Sequence, residues 1–260
     1  MSYLIDTHAH LDFPELYSKL DLIIDNAKNQ NVLKIITIST NLNKIGKIIQ
    51  ISNDYDVVYF TVGVHPNEVL KDKDYENYTL ISDISNNLKC VGIGECGLDY
   101  HFGNEDKEKQ KLSFITQIKV ARDTGLPLII HSRDADDDMI NILQDEYKKG
   151  AFKAILHCFS SGKELALCGL DLGFYISFSG IVTFKSAKLI QEIACIVPED
   201  RILVETDAPY LAPSPFRGTV NEPKNCFHTA KFLSEIRNSN FNDFTNHLCM
   251  NSLKIFDKML

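Results

Sequence analysis

YLIDTHAH (residues 3–10) is a short β-prone run that delivers two histidines, His8 and His10, at positions i and i+2. Side chains alternate across a strand, so both imidazoles fall on one face and can point at one ion. Seven further runs of the same kind follow: LKIITIS (33–39), VVYFTVGVH (57–65), CVGIGE (90–95), PLIIHS (127–132), FKAILH (152–157), GFYISFS (173–179) and RILVETD (201–207). These are apolar runs bounded by turns rather than strict alternations, the pattern of strands covered on both faces.

Helical periodicity lies between the runs. In 107–124, Leu112, Ile115, Ile118 and Ala121 recur at three-residue steps, and in 135–147 Met139, Ile142 and Leu143 form a stripe; both read as helices with an apolar face on a sheet. Gly125, Gly150 and Gly173 fit helix stops before the next strand. Eight strand–helix units predict an α/β fold, a (β/α)8 TIM barrel, as one domain over 1–260. Two closing helices are expected over about 226–260, with Phe232, Leu233, Ile236, Leu248, Leu253 and Phe256 on apolar faces. An open doubly wound sheet is the runner-up, but no glycine-rich phosphate fingerprint follows the first strand.

Composition narrows the function classes. The chain has 260 residues, 44% hydrophobic and 24% charged, ordinary values for a globular protein and too apolar for a long disordered tail. A net charge of −8 argues against wrapping long stretches of nucleic acid by charge alone, which needs clustered Lys and Arg. It leaves open an enzyme that handles one phosphate at a time, because bound cations invert the charge of an acidic pocket. Seven scattered cysteines form no CxxC pair, and no signal-like or membrane-spanning run is apparent. The expectation is a cytoplasmic protein with free thiols, no membrane association and no evident obligatory protein partner.

In a barrel of this kind the chemistry sits at the C-terminal ends of the strands. His8 and His10 end the first predicted strand, His65 the third, Glu95 the fourth, His131 the fifth, His157 the sixth and Asp207 the eighth. Burying so many polar groups together costs several kcal/mol unless they coordinate something, on the order of 2–7 kcal/mol for each unpaired group. Four imidazoles and two carboxylates (His8, His10, His131, His157, Glu95, Asp207) suit Zn²⁺, Mn²⁺ or Fe²⁺ and are nitrogen-rich for Mg²⁺. Six ligands exceed what one catalytic zinc uses, so two divalent ions sharing a carboxylate fit better. Cys96 and Cys158 neighbour ligands in sequence, and strand alternation predicts that both turn into the helix-facing core.

The motifs DTHAHLDF (6–13), VGVHP (62–66), GECGLDY (94–100), IIHSRDA (129–135), LHCFS (156–160), GFYISFSGIVTF (173–184) and ETDAPYLAP (205–213) resemble those of the TatD-type deoxyribonucleases of the amidohydrolase superfamily. The likeness covers essentially the whole chain, with every motif in order. It implies a metal-dependent barrel that hydrolyses DNA phosphodiesters. Carried over by position, it implies that His8, His10 and Asp207 hold one metal, His131 and His157 the second, and that Glu95 bridges them. Where bacterial relatives commonly read Arg-Gly-Lys after the eighth strand, this chain has Arg217-Gly218-Thr219, one potential phosphate contact fewer.

A mechanism consistent with both readings follows. Two metals lower the pKa of water toward neutrality. Asp207 is the candidate base, and the ions together with placed donors stabilise the negative charge that attack on phosphorus builds on the non-bridging oxygens. His65 is a candidate donor to a phosphate oxygen. Arg133 either grips a phosphate or pairs with Asp134, Asp136 or Asp137. Glu205 shares a face with Asp207 and is a candidate to orient a ligand histidine. His101, His228 and His247 receive no role. The expected substrate is DNA, as strand ends or single strands. The alternative is an amidohydrolase or lactonase of a small metabolite, since the same metals polarise a carbonyl. A lysine ligand on the fourth strand, found in phosphotriesterase-like relatives, is replaced by Glu95, which favours the TatD-type branch. A non-catalytic scaffold would show a broken ligand set, and all six ligands are present.

Overall fold

The computed structural model describes residues 3–71, 75–101 and 106–260. Its first half runs β1 (Leu4–Ala9), α1 (Pro14–Tyr17), α2 (Leu20–Asn29), β2 (Val32–Thr37), α3 (Ile45–Asp54), β3 (Val58–Val62), α4 (Tyr78–Ser85) and β4 (Cys90–Asp99). The second half continues α5 (Lys107–Thr124), β5 (Leu128–Arg133), α6 (Asp136–Lys149), β6 (Ala154–Leu156), α7 (Lys163–Asp171), β7 (Tyr175–Phe178), α8 (Lys188–Ile196), β8 (Ile202–Val204), α9 (Cys226–Ile236) and α10 (Phe241–Ile255). The strands pair in parallel in sequence order from β1 to β8. A parallel bridge between Ala9 and Ala208 brings the two edges together. This is the TIM barrel that the eight predicted runs imply.

Alternation along the strands divides the core in two. Leu128, Ile130, Ala154, Leu156, Ile202 and Val204 pack outward under the helices. Ile129, Ile155 and Leu203 point inward, where they meet Ile5, Ile36, Val91 and Tyr175. The floor of this inner core comes from the last turn of α10 and the residues after it: Ile255, Phe256 and Met259. Phe256 is fully buried, and burying such a side chain contributes about 1.5–3 kcal/mol. Lys34 ties the floor to β2 by donating to the Met259 carbonyl at 2.8 Å.

The helix α5 spans the residues that periodicity predicted, but its inner face differs. Leu112 is 49% exposed. The buried face instead carries Gln110, Phe114, Gln117, Ile118 and Ala121. The two glutamines earn burial by pairing with backbone: Gln117 bridges the N–H and C=O of Val64, and Gln110 does the same for Asp99. Gly125 ends the helix at φ 72°, a conformation that costs a side-chain-bearing residue free energy. β4 runs beyond Glu95 to Asp99, four residues past the predicted end. Gly97 permits this, because a Cβ there would lie 2.0 Å from the His131 carbonyl oxygen.

Candidate metal centre

The inward alternation that builds the floor also builds the site. Two residues beyond Ile129 comes His131, and two beyond Ile155 comes His157; Leu203 is followed at the same spacing by Glu205 and Asp207. All lie at the C-terminal mouth of the barrel. His8, His10 and Asp207 are fixed by the seam between the first and last strands. The Asp207 amide donates to the His8 carbonyl at 2.9 Å, and the His10 amide to the Ala208 carbonyl at 2.8 Å. Asp6 locks the seam from behind, accepting from the Thr206 amide at 2.9 Å, the Thr206 hydroxyl at 2.5 Å and the His8 amide at 3.3 Å. Its burial pushes the Asp6 carboxyl up to about 8, even though those hydrogen bonds pull the other way.

Glu95 stands at the middle, and its two oxygens face different partners. Oε2 lies 3.4 Å from His8 Nε2 and 3.9 Å from His10 Nε2. These two nitrogens lie 3.6 and 3.4 Å from Asp207 Oδ1. Oε1 lies 2.8 Å from His157 Nε2, 3.0 Å from His131 Nδ1 and 3.4 Å from His65 Nε2. Four of the expected ligands, His8, His10, His131 and His157, and also His65 therefore converge on Glu95, and Asp207 joins the group through His8 and His10. Arg133 lies at the rim of the same cleft with Ser132, Asn67 and Ser160.

The outer nitrogens of the rings sort their roles. His157 Nδ1 faces Glu205 Oε1 at 3.2 Å, and His131 Nε2 faces Asp99 Oδ2 at 3.3 Å. A carboxylate only accepts, so each of these outer nitrogens carries a proton, which would leave the inner nitrogen's lone pair for a bound cation. His65 is the reverse. Its Nδ1 accepts the Asn67 amide at 3.0 Å, which leaves the proton on Nε2, aimed into the site.

Charge follows from the same contacts. Burial penalises the Glu95 carboxylate, but His157, His65 and His131 overcome that and hold it well below its usual range. Burial likewise opposes a charged His157, yet Glu95 and Glu205 hold its pKa well above the usual histidine value. For Asp207, burial is outweighed by the hydrogen bond from His10 and the neighbouring imidazoles, so its pKa is lowered. His65 goes down, because burial exceeds the pull of Glu95.

The residues fit divalent cations. Glu95 Oε1 is faced by three ring nitrogens within 3.4 Å, more than the two lone pairs of one oxygen can satisfy. His8, His10 and Glu95 offer ligand atoms within 4.8 Å of one another, and so do His8, His157 and Glu205.

Of the two cysteines expected to turn into the helix-facing core, one does and one does not. Cys96 lies in the helix-facing core, its Sγ 3.5 Å from the Ile129 carbonyl. Cys158 does not. β6 stops at Leu156, and Cys158 has φ 42°, so strand alternation no longer governs its direction. Its thiol lines the cleft, 3.1 Å from Ser179 Oγ and 3.9 Å from Asp207 Oδ2. Asp99, which received no role from the sequence, stands behind His131. Its signal was Glu95-Cys-Gly97-Leu-Asp99, a period-two pattern continuing past the predicted strand end. None of the seven cysteines is in a disulfide, and among the described residues no helix is long and apolar enough to cross a membrane.

A parallel barrel with a histidine–carboxylate centre at its C-terminal mouth defines the class: a metal-dependent hydrolase with an amidohydrolase-like fold. A family model described as TatD related DNase matches residues 5–257, and the chain belongs to this family. It is 37% identical to a metal-dependent hydrolase of Bacillus subtilis, YabD, over 97% of this chain and 98% of that protein. It is 38% identical to the metal-dependent hydrolase YcfH of Escherichia coli K12, over 90% and 88% of the two chains. Among solved structures it resembles YJJV, a TatD homologue from Escherichia coli K12, with a TM-score of 0.90, 27% identity and 98% of each chain covered.

Proposed function

We propose that the protein is a DNA phosphodiesterase in which Glu95, with His8, His10 and Asp207 on one side and His131 and His157 on the other, would hold two divalent ions. The observation that carries the two-ion part is the division of Glu95: one oxygen faces His8 and His10, which Asp207 also approaches, and the other faces His131 and His157. The substrate part rests on the family model's description and on the cleft. The cleft is about 810 Å³, room for a nucleotide. Phe13 and Tyr210 lie on its His10 side, with Phe13 stacked on His10 and edge-on to Tyr210. Arg133 and Ser132 lie on its His131 side. Aromatic rings accept a base of any identity, and a guanidinium grips a phosphate.

Divalent ions held there supply Lewis acidity, polarising the phosphoryl group and making water acidic enough to react near neutral pH. Within that frame the side chains divide the work. Asp207 Oδ1 faces His8 and His10, while Oδ2 turns toward Cys158 and the cleft. Oδ2 takes the proton of the attacking water as the new P–O bond forms. The same carboxyl returns the proton to the oxygen that leaves as the old P–O bond breaks. His65 donates its Nε2 proton to a non-bridging oxygen, where negative charge builds, and Arg133 holds the phosphate in line.

The test is incubation of metal-loaded protein with end-labelled DNA oligomers and, in parallel, a panel of small esters and lactones. The expected result is DNA cleavage under Mn²⁺, Mg²⁺ or Zn²⁺ that chelation abolishes. Ester or lactone turnover with intact DNA would replace this reading with a small-metabolite hydrolase.

A further inference from the structure

The two halves of the centre differ in what stands behind the histidines. The Oε2 half offers four protein donors, His8, His10, Asp207 and the shared Glu95. The Oε1 half offers three: His131, His157 and Glu95. Each ring of the poorer half is backed by a buried carboxylate: Asp99 Oδ2 on His131 Nε2 at 3.3 Å, and Glu205 Oε1 on His157 Nδ1 at 3.2 Å. The richer half has no such backing. His8 Nδ1 and His10 Nδ1 are buried without a hydrogen-bond partner among the described residues.

Asp99 is itself held firmly. Its Oδ2 accepts from Asn67 Nδ2 at 2.8 Å, its Oδ1 accepts from the His101 amide at 3.0 Å, and Gln110 clamps its backbone on both sides. Glu205 is 1% exposed, and its amide donates to the Phe178 carbonyl at 3.1 Å. A carboxylate behind a ligand imidazole fixes ring orientation, keeps the proton on the far nitrogen and makes the near one a better donor.

We infer that Asp99 and Glu205 are positioning residues that give the three-donor half its hold on an ion, so that their loss empties that half and spares the other. This rests on the two-ion reading of Glu95, but not on DNA as the substrate. The mechanism above gives neither residue a role; Asp99 reaches the cleft wall beside His131, whereas Glu205 lies behind it.

The experiment is titration of the full-length protein with Mn²⁺, followed by calorimetry and by electron paramagnetic resonance, for wild type, Asp99→Asn and Glu205→Gln. Wild type is expected to bind two equivalents and to show the spectrum of an exchange-coupled pair. Each variant is expected to bind one equivalent as wild type does and the other about 10–100-fold more weakly, the usual effect of such a partner. The coupled spectrum then gives way to that of an isolated ion at concentrations that saturate wild type. A structural role alone would not produce that replacement. The inference is overturned if either folded variant keeps both equivalents, or if both equivalents weaken alike. The two substitutions act on different strands, so if one fails to fold the other decides. If wild type binds a single equivalent, the two-ion reading fails and His131→Asn against His10→Asn decides. Loss in His131→Asn and in Asp99→Asn upholds the positioning role, whereas loss in His10→Asn with no effect of Asp99→Asn removes it.

Discussion

On the Oε2 side of Glu95, backbone places the side chains: His8, His10 and Asp207 are held by amide–carbonyl bonds across the β1–β8 seam, with Asp6 behind them. On the Oε1 side, other side chains do so: carboxylates touch the outer nitrogens of His131 and His157. The first arrangement is inseparable from barrel closure, so damage to it reaches the fold. The second can be dismantled one carboxylate at a time while the strands stay paired. One centre thus joins a half whose precision comes from topology to a half whose precision comes from polar contacts.

That contrast can be broken at several points. The largest effect is expected for Asp207→Asn, which removes the proton acceptor. Turnover of a DNA oligomer should fall about 10²–10⁴-fold, the range of a lost general base, while Mn²⁺ still binds on the Oε1 side. Full activity with metal retained would take Asp207 out of the proton transfer. Next comes His65→Ala. Loss of one placed donor lowers kcat about 10²–10³-fold, with metal content unchanged because the His65 proton faces the site. Loss of bound metal would instead make His65 a ligand and shift it to the other column of the comparison. Arg133→Ala should act on binding, raising KM about tenfold, or about 1.4 kcal/mol, with kcat little altered. An unchanged KM across a series of oligomer lengths would place the guanidinium outside the substrate path.

The smallest effect sharpens the seam. The Asp6 carboxyl is raised in the folded state to about 8, from an ordinary value of 3.8. The folded state therefore binds more protons than the unfolded chain between those values, and this group's contribution to stability is lost as pH rises through that window. Asp6→Asn keeps the acceptor for the two amides and cannot ionise. Its stability relative to wild type should accordingly rise from pH 5 to pH 8 in chelator-stripped protein, as read by denaturant unfolding. A difference that stays flat across that range would show that the seam does not hold a strained carboxylate.

The convergence of the six expected ligands was readable because β-strand alternation needs only local sequence, and the strand ends that carry them are flanked by turns. His131 and His157 follow inward-facing isoleucines at the right period, and the chain need not be folded to see it. What was not readable depended on where strands stop and on who pays for buried polarity. Cys158 was expected in the core because alternation was extended past Leu156, where the backbone in fact turns to a positive φ. Asp99 lies past Glu95, where the apolar run of β4 ends in the sequence, and Gly97 lets the strand continue to it. Leu112 was expected inside α5's face because apolar periodicity cannot register glutamines that are buried to satisfy the Val64 and Asp99 backbones.

The floor of the barrel carries a consequence in time rather than space. Ile5, Ile36 and Val91 lie in strands made early, yet the side chains that cover them from below, Phe256 and Met259, are synthesised long after them. A chain growing on the ribosome therefore holds the inner faces of its first strands without their cover until the final turn of α10 has emerged. Completion of the inner core is tied to residues 255–259, and any nascent barrel lacking them is a client for whatever shields apolar surface in the meantime.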